Sequence, residues 1–333
     1  MTAADKVRVA IDAMGGDHGP QVTLAAAHKA LHDDPGLELI VVGSPVIASL
    51  ILKWPRDIAE RVEHVVCEAV LPMDVSASHA LRHGRETSLG RTVTLVGERR
   101  ADAAVSAGNT GAIMALARMQ LGMITGIDRP ALMAALPSGR QSVWVLDLGA
   151  NVGVDARRLF EFAQLGATAA EILGGRAPRI GLLNIGHEDS KGPDAVREAA
   201  RLIDQRADLD YAGFVEADQV FSGQVDVVVC DGFAGNVLLK SAEGAMRILF
   251  EQLRQQLSST LAGWMCRRRL KPLRDTFDPA RHNGAPLLGL AGVVIKSHGG
   301  AGPDAFAHAI AMAALEARRG LVGELERRLW AGD

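Results

Sequence analysis

Short apolar runs alternate with amphipathic stretches along most of the chain. The first apolar run, residues 7–11, ends at Asp12, and a glycine-rich turn then leads into an amphipathic stretch at residues 22–31. Apolar runs of this length bounded by turn residues are typical of strands, and apolar positions spaced three and four apart are typical of helices. Their alternation predicts βαβ units that form a mostly parallel sheet covered by helices. Further strands are predicted at residues 37–42, 62–66, 102–106, 127–137, 142–148, 179–185, 212–216, 225–230 and 292–296. Further helices are predicted at residues 46–53, 76–98 with breaks near Gly84 and Gly90, 113–119, 156–173, 193–206 and 303–330.

One segment, residues 240–286, departs from this alternation. Its apolar side chains recur at three- and four-residue spacing, which predicts a long amphipathic helix as far as Cys266, and Pro272 should break any continuation. Packing against its own domain or against a second copy of the chain explains most of this apolar stripe. The basic end of the segment could instead rest on an anionic membrane or contact an acidic protein. The side chains that would make this contact are Trp264, Met265, Arg267, Arg268, Arg269 and Lys271.

The composition narrows the class of protein. With 333 residues, 48% of them hydrophobic, the chain can bury a large core, and we expect one α/β domain over residues 1–333 that includes the 240–286 segment. A formal net charge of −3 and few aromatic residues argue against a nucleic-acid-binding protein. The three cysteines lie far apart and suggest neither a disulfide framework nor a zinc site. The sequence shows no signal peptide and no long apolar run, so we expect a cytoplasmic protein that does not span a membrane.

Glycine-rich polar turns follow several of the predicted strands. In residues 103–112, which read AAVSAGNTGA, a strand end, a tight turn and a helix start follow one another, and Asn109 or Thr110 could cap the helix. The free N–H groups of a helix start attract anions. A single turn of this kind is usually an ordinary βα connection. Because ligands collect at the carboxyl ends of parallel strands, however, several such turns predict the walls of one crevice.

Seven motifs occur in order along the chain and carry a resemblance to a known family. They read IDAMGGDHGP, SAGNTGA, LDLGAN, LLNIGHEDSKG, CDGFAGNVLLK, GAPLLG and IKSHGG, within a match from about residue 9 to residue 309. With these motifs the chain resembles the bacterial phosphate acyltransferases, which transfer a fatty acyl group from acyl carrier protein to inorganic phosphate. It departs from the family pattern at residues 84–90 and 213–219, a difference that concerns substrate fit rather than the class of enzyme.

The resemblance implies a fold, partners and a location. The fold would be a Rossmann-like αβα sandwich similar to isocitrate dehydrogenase and phosphotransacetylase, working as a homodimer without a metal or redox cofactor. The product, an acyl phosphate, would be used next by a membrane glycerol-3-phosphate acyltransferase in the synthesis of phosphatidic acid. A projecting helical segment within residues 240–286 would place this cytoplasmic enzyme on the anionic inner surface of the cell membrane.

The implied reaction requires an anion site, stabilisation of an oxyanion and exclusion of water. Helix starts after Asn109 and after Gly235, helped by a lysine, could bind phosphate. Backbone N–H groups and asparagine side chains could stabilise the oxyanion, and a histidine could position phosphate or protonate the leaving thiol. The candidate catalytic residues are His298, Lys191, Asn236 and Asn109, followed by His18 and Asp231. The candidate substrate-binding residues are Asp12, Gly15, Gly16, Asp17, Ser106, Gly108, Thr110, Gly111, Asn151, Asn184, Gly186, Glu188, Gly232, Gly235, Lys296, Ser297 and Gly299.

Some reactive side chains are better explained by structure. Asp12, Asp17 and Asp231 could bind a metal ion together, but carboxylates at turns commonly cap helices, so capping and orientation are favoured. Cys230 ends an apolar strand, which favours a buried thiol over a nucleophile that forms an acyl-enzyme.

Two other classes of function stay open from the residues alone. A related enzyme of the same fold, either a CoA-dependent phosphotransacylase or a decarboxylating dehydrogenase, would share the sheet and its turns. The dehydrogenase would also need a clustered aspartate metal site and a nucleotide-binding loop, and neither is visible in the sequence. A non-catalytic membrane-associated scaffold would use only the basic end of the 240–286 segment.

Overall fold

The fold is built on two sheets whose strands are mostly parallel. The computed structural model describes residues 6–139, 142–257, 269–271, 276–277 and 279–330. One sheet has the order β3-β2-β1-β4-β12-β11-β5 and the other has the order β6-β7-β10-β8-β9. The antiparallel pairs are β11 with β12, β11 with β5, and β6 with β7. The strands are β1 (Val7–Asp12), β2 (Leu37–Gly43), β3 (Val62–Val66), β4 (Ala103–Ser106), β5 (Ala131–Leu132), β6 (Ala134–Leu136), β7 (Val143–Leu146), β8 (Arg179–Leu183), β9 (Asp210–Val215), β10 (Val227–Val229), β11 (Ala285–Leu288) and β12 (Val293–Lys296).

Helices cover the sheets and bury their apolar faces. The helices are α1 (Pro20–Asp33), α2 (Val46–Ile51), α3 (Arg56–Ala59), α4 (Ala77–His83), α5 (Ser88–Gly97), α6 (Thr110–Leu121), α7 (Ala156–Gly174), α8 (Asp194–Asp204), α9 (Gly232–Gln256), α10 (Pro303–Arg318) and α11 (Leu321–Trp330). In the first sheet, α10 packs against β1, β4 and β12, and α5 packs against β1, β2 and β4. In the second sheet, α7 and α8 pack against the strands, and α11 packs against α7. This layering confirms the predicted α/β sandwich.

The two sheets meet where the chain passes from β5 to β6. Met133 is the single residue between these strands, and it is completely buried. Asp147, at the end of β7, is also completely buried, and its Oδ1 accepts hydrogen bonds from the backbone N–H groups of Leu132 (2.9 Å) and Ala150 (3.1 Å). Because one carboxylate joins β5 to the turn after β7, the facing edges of the two sheets are held side by side.

Several predicted boundaries are wrong in detail. The break predicted near Gly84 is confirmed, since a turn separates α4 from α5, but Gly90 lies inside α5 rather than at a break. The closing stretch 303–330 is likewise two helices, because Gly320 adopts a positive φ of 60° between α10 and α11. The strand predicted at 127–137 is the pair β5 and β6, and the antiparallel strand β11 was not predicted.

The described part of the 240–286 segment is helical at its start. Helix α9 ends at Gln256, so the continuation predicted as far as Cys266 lies outside the described residues. Trp264, Met265, Arg267 and Arg268 also lie outside them, whereas Arg269 and Lys271 are exposed. Across the residues that are described, no helix is both long and apolar enough to cross a bilayer.

Candidate active site

A cavity of about 810 Å³ lies between the strand ends of the two sheets. Its walls come from the loops after β1, β4, β7 and β12, from α9, and from the edge strand β6. Its lining includes polar side chains and glycines: Asp17, Gly108, Asn109, Thr110, Gly149, Asn236, Lys240, Glu243, His282, Asn283, Gly284, Lys296, His298, Gly299 and Gly300. Many of its other lining residues are apolar: Met73, Leu132, Ala134, Leu136, Pro137, Leu148, Phe221, Leu239, Ala242, Ala245, Met246 and Phe277.

The loops after β1 and β4 are fixed to each other by a buried carboxylate. Asp12 is only 1% exposed, and its Oδ2 accepts a hydrogen bond of 2.8 Å from Ser106 Oγ. Its Oδ1 accepts the backbone N–H groups of Met14 and Gly15, both at 3.2 Å, and Ser106 Oγ in turn accepts the N–H of Gly108 at 3.0 Å. Burial raises the pKa of Asp12 despite these hydrogen bonds. Asp12 and Ser106 therefore hold the wall of the cavity and do not line it, and a substrate-binding role for them stays a prediction.

Asn109 caps the helix that begins beside the cavity. Its Oδ1 accepts the N–H of Ala112 (2.9 Å), and its Nδ2 donates to the carbonyl oxygen of Met73 (2.7 Å). The prediction that this residue caps α6 is confirmed. Because both ends of the side-chain amide are engaged, Asn109 shapes the site through the start of α6, which it places at the cavity wall together with Thr110.

The last residue of β12 and the loop that follows it supply a lysine and a histidine to the cavity. Burial is the main cause that lowers the pKa of Lys296 to about 8, and nearby Lys240 lowers it further while Asp17 opposes the shift. The ammonium of Lys296 donates to the carbonyl oxygen of Ser297. Burial and the charge of Lys240 also lower the pKa of His298. The N–H of Asp17 donates to the carbonyl oxygen of Gly299 (2.9 Å), which joins this loop to the loop after β1.

Helix α9 brings a third set of groups to the same space. Asp231 is its N-cap: Oδ1 accepts the N–H of Phe233 (2.8 Å) and Oδ2 accepts the N–H of Gly153 (2.7 Å), so the predicted capping role is confirmed. The helix begins at Gly232 and not after Gly235, which corrects the predicted helix start. Asn236 and Lys240 lie one turn apart on the cavity side, and Lys240 Nζ is 2.7 Å from Glu243 Oε2.

The turn after β8 lies outside the cavity wall. Asn184 is buried, and its Nδ2 donates to the carbonyl oxygens of Gly186 and Lys191, both at 3.2 Å. Glu188 and Lys191 are exposed and do not line the cavity. The amide nitrogen of Asn184 thus closes its own loop. Substrate-binding roles for Asn184 and Glu188 and a catalytic role for Lys191 stay predictions.

The remaining candidates lie behind or beside the wall. His18 is exposed and does not line the cavity, and Cys230 is buried, with its thiol pKa raised mainly by burial. Among the residues that the structure describes, no three His, Cys, Asp or Glu side chains form a group that could hold a metal ion. The other predicted substrate-binding residues that do not line the cavity are Gly15, Gly16, Gly111, Asn151, Gly232, Gly235 and Ser297.

Sequence reasoning missed several residues that line the cavity. Lys240 and Glu243 follow Asn236 by four and seven residues on α9, so helical spacing alone places them on the same face. Asn283 directly precedes the GAPLLG motif, where an uncharged residue before a strand gave no signal. The apolar lining residues of β6 were also missed, because the single strand predicted at residues 127–137 does not define β6 as a separate strand.

Comparison with known proteins identifies the family. A sequence model described as "Fatty acid synthesis protein" matches residues 7–322. The chain is 46% identical over 319 residues to a phosphate acyltransferase from Nitrosococcus oceani, covering 94% of each chain, and 46% identical over 332 residues to one from Alkalilimnicola ehrlichii, covering 98% of this chain and 96% of that one. Among solved structures, the EutD phosphotransacetylase from Staphylococcus aureus is similar in fold, with a TM-score of 0.62 at 18% identity, covering 94% of this chain and 95% of that one. A phosphotransacetylase from Streptococcus pyogenes also has a TM-score of 0.62, at 19% identity and with 94% of both chains covered. The chain therefore belongs to the fatty acid synthesis protein family and is an acyltransferase of the phosphate acyltransferase group, whose reaction is acyl transfer to phosphate.

Proposed function

We propose that the protein transfers a fatty acyl group from acyl carrier protein to inorganic phosphate and releases an acyl phosphate for phosphatidic acid synthesis. One observation carries this proposal: a single cavity is lined both by cationic and polar groups and by many apolar side chains. A phosphate dianion needs the first, and a fatty acyl chain needs the second. Inorganic phosphate would bind between Lys296, Lys240 and the start of α6.

The reaction at this site requires no acylated form of the protein. A phosphate oxygen attacks the thioester carbon directly, because the dianion is already a nucleophile near neutral pH and a thiolate leaves without strong acid assistance. Cys230 is unsuited to carry the acyl group, since it is 3% exposed and its buried thiol has a raised pKa. Burial of the reacting groups also keeps water from competing with phosphate.

Direct product trapping tests this function. The protein is incubated with palmitoyl-acyl carrier protein, inorganic phosphate and hydroxylamine, which converts an acyl phosphate into a hydroxamate. We expect hydroxamate that depends on both substrates, and a faster reaction with the acyl carrier protein than with palmitoyl-CoA. Preference for short acyl-CoA would support a CoA-dependent phosphotransacylase, and no phosphate-dependent product would exclude acyl transfer to phosphate.

A lysine pair provides matched variants for the same assay. Lys296→Met removes a cation from the cavity lining, so we expect acyl phosphate formation to fall about 100-fold or more, as for the loss of one strong transition-state contact. Lys29→Met removes an exposed lysine on α1 that does not line the cavity, and it should leave the rate unchanged. Equal rates for the two variants would show that Lys296 has no role in the reaction.

The location and partners follow from the same proposal. The protein works as a homodimer at the anionic inner surface of the cell membrane, where a membrane glycerol-3-phosphate acyltransferase uses the acyl phosphate. The basic sequence at residues 267–271 supports this placement, since each basic residue near an anionic surface contributes about 1 kcal/mol. Changing Arg267, Arg268 and Arg269 to glutamate should weaken either vesicle binding or the turnover of acyl-acyl carrier protein. Separate assays of vesicle binding and of turnover distinguish a contact with lipid from a contact with the carrier protein. Unaltered behaviour in both would contradict a surface role for this sequence.

A further inference from the structure

Asn283 joins three parts of the polypeptide at the cavity. Its Nδ2 donates to Ser297 Oγ (2.8 Å) and to the carbonyl oxygen of Ala305 (2.7 Å), and its Oδ1 accepts the backbone N–H of His298 (2.9 Å). The residue stands two positions before the start of β11, whereas its partners belong to the loop after β12 and to the first turn of α10. One side chain therefore fixes the backbone from which His298 projects.

The ring of His298 is held by its own loop in one orientation. The backbone N–H of Gly300 donates to Nδ1 of His298 at 3.2 Å. A ring nitrogen that accepts a hydrogen bond carries no proton, so the proton of the neutral imidazole is on Nε2. His298 lines the cavity, and the group that its ring offers to a ligand is thus an N–H donor and not a base.

The surroundings keep this ring neutral. Burial lowers the pKa of His298, and the positive charge of Lys240 lowers it further. Protonation would also place a second N–H against the N–H of Gly300, so the imidazolium is incompatible with the observed loop. The charged and titratable groups that face the ring or share its cavity are Lys240, Glu243, Lys296, Asp17 and His282.

We propose that neutral His298 donates its Nε2–H to the thioester carbonyl oxygen during acyl transfer, and that Asn283 is the positioning residue that holds it there. This inference rests on the proposed function. A phosphate oxygen forms a bond to the carbonyl carbon, and the π electrons of the carbonyl move onto its oxygen, where Nε2–H stabilises the negative charge. The oxyanion then collapses, the C–S bond breaks, and the electron pair leaves on sulfur as a thiolate that takes a proton from solvent.

Substitution of His298 separates a donor from a base. His298→Gln keeps a side-chain N–H but has no basic nitrogen, whereas His298→Ala has neither. We expect the alanine variant to lose about 100-fold to 1,000-fold in kcat, the usual effect of losing one oxyanion donor, and the glutamine variant to retain at least ten times more. His32→Gln, an exposed histidine on α1, is the matched control and should leave kcat unchanged. Equal losses for the two His298 variants, in a wild-type protein that makes acyl phosphate, would overturn the donor role and leave the proposed function standing.

Substitution of Asn283 tests the positioning role through pH. Asn283→Asp keeps an acceptor for the N–H of His298 but adds a negative charge beside the loop, which raises the pKa of the ring. We expect the acid limb of its kcat profile to move to higher pH than in the wild type. The ionisation of phosphate is the same in both profiles and does not contribute to the difference. Asn283→Ala should lower kcat at least ten-fold with little change in the KM for phosphate. Gln205→Ala, an exposed amide at the end of α8, should change neither. An unmoved acid limb in Asn283→Asp contradicts the positioning role.

A spectroscopic measurement covers the case in which an Asn283 variant does not fold. Nitrogen-15 NMR of the wild-type protein with labelled histidine reports which ring nitrogen carries the proton, and His298→Gln assigns the resonance. We expect a protonated Nε2 and a bare Nδ1 at neutral pH. A proton on Nδ1 would falsify the tautomer and with it the donor role.

Discussion

Polar side chains at the strand ends of this protein divide into those that hold loops and those that face the cavity. Asp12, Asp147 and Asp231 each accept two or more hydrogen bonds from backbone N–H groups. Asn109 belongs to both groups, since it caps α6 by accepting one backbone N–H and also lines the cavity. The same residue types in the sequence had suggested direct roles in binding or catalysis. Only burial and hydrogen-bond partners distinguish the two groups, and these depend on the tertiary structure.

Glu316 is a buried carboxyl that no part of the proposed reaction uses. It lies on α10 and is 1% exposed, and within the described ranges Oε1 has no hydrogen-bond partner. Burial raises its pKa from 4.5 to about 8. A raised pKa means that the unfolded chain loses this proton first, so stability falls as pH rises from about 4.5 towards 8.

Glu316→Gln should therefore stabilise the protein in a pH-dependent way. The amide keeps the size of the side chain and carries no titratable proton. We expect a gain in the free energy of unfolding of about 3 kcal/mol at pH 7 and almost none at pH 4.5. Urea unfolding at the two pH values measures it. Glu326→Gln, an exposed carboxyl on α11, is the control and should not show this gain. A gain of equal size at both pH values would mean that packing, and not the charge, is responsible.

At the scale of elements, helix α9 packs its first turn unusually close to the second sheet. A Cβ atom on Gly235 would lie 2.0 Å from the carbonyl oxygen of Asp147 and 2.8 Å from Cys230 Sγ. A Cβ on Gly232 would lie 2.3 Å from the carbonyl oxygen of Asn151. Both contacts are with backbone that cannot move without disturbing β7. These two glycines therefore set the position of Asn236 and Lys240 in the cavity, although neither glycine lines it.

Two alanine substitutions on this one helix test that explanation. Gly235→Ala should destabilise the protein by about 1–3 kcal/mol through the clash and should lower acyl transfer, because α9 must shift. Gly244→Ala lies on the same helix, where no other part of the described structure comes within 4 Å of the added Cβ, and it should be neutral or stabilise by up to about 1 kcal/mol. Thermal unfolding and the hydroxamate assay measure both effects. Equal activity of the two variants would show that close packing at Gly235 does not position the site.

The local sequence pattern predicted the presence of individual strands and helices better than the residues at which they begin and end. The alternation of apolar runs and amphipathic stretches placed β1, β4, β8, β12 and their following turns correctly, because each is a buried run that ends in glycine and polar residues. The turn after α10 was missed because the helical pattern continues through it, whereas the break after α4 was predicted near Gly84. Strand β11 pairs with β12 and β5, and such long-range pairing leaves little local signal.

At the scale of the whole molecule, the division into two sheets makes the site. The sequence pattern predicted parallel strands but not that Met133 separates two sheets. Loops after β4 and β12 come from one sheet, and the loop after β7 and the start of α9 come from the other. Strand order is set by contacts between distant segments, so no local pattern contains it. These loops line one cavity, as the predicted crevice requires, whereas the turn after β8 does not contribute to it.

The same arrangement places an apolar wall between the sheets, where the acyl chain would lie. Ala242 contributes to this wall from α9, one turn before Met246, and neighbouring Ser241 is exposed and does not line the cavity. Ala242→Phe fills part of the apolar space, so we expect kcat/KM for a palmitoyl donor to fall at least ~10-fold more than kcat/KM for a butyryl donor. Ser241→Phe adds the same ring outside the cavity and should leave this ratio unchanged. If Ala242→Phe lowered both donors equally, the loss would come from the phosphate or thioester contacts, and the acyl chain would have to lie elsewhere. A selective loss of the long donor requires that the chain runs along α9 between the two sheets, because only there does the added ring displace it.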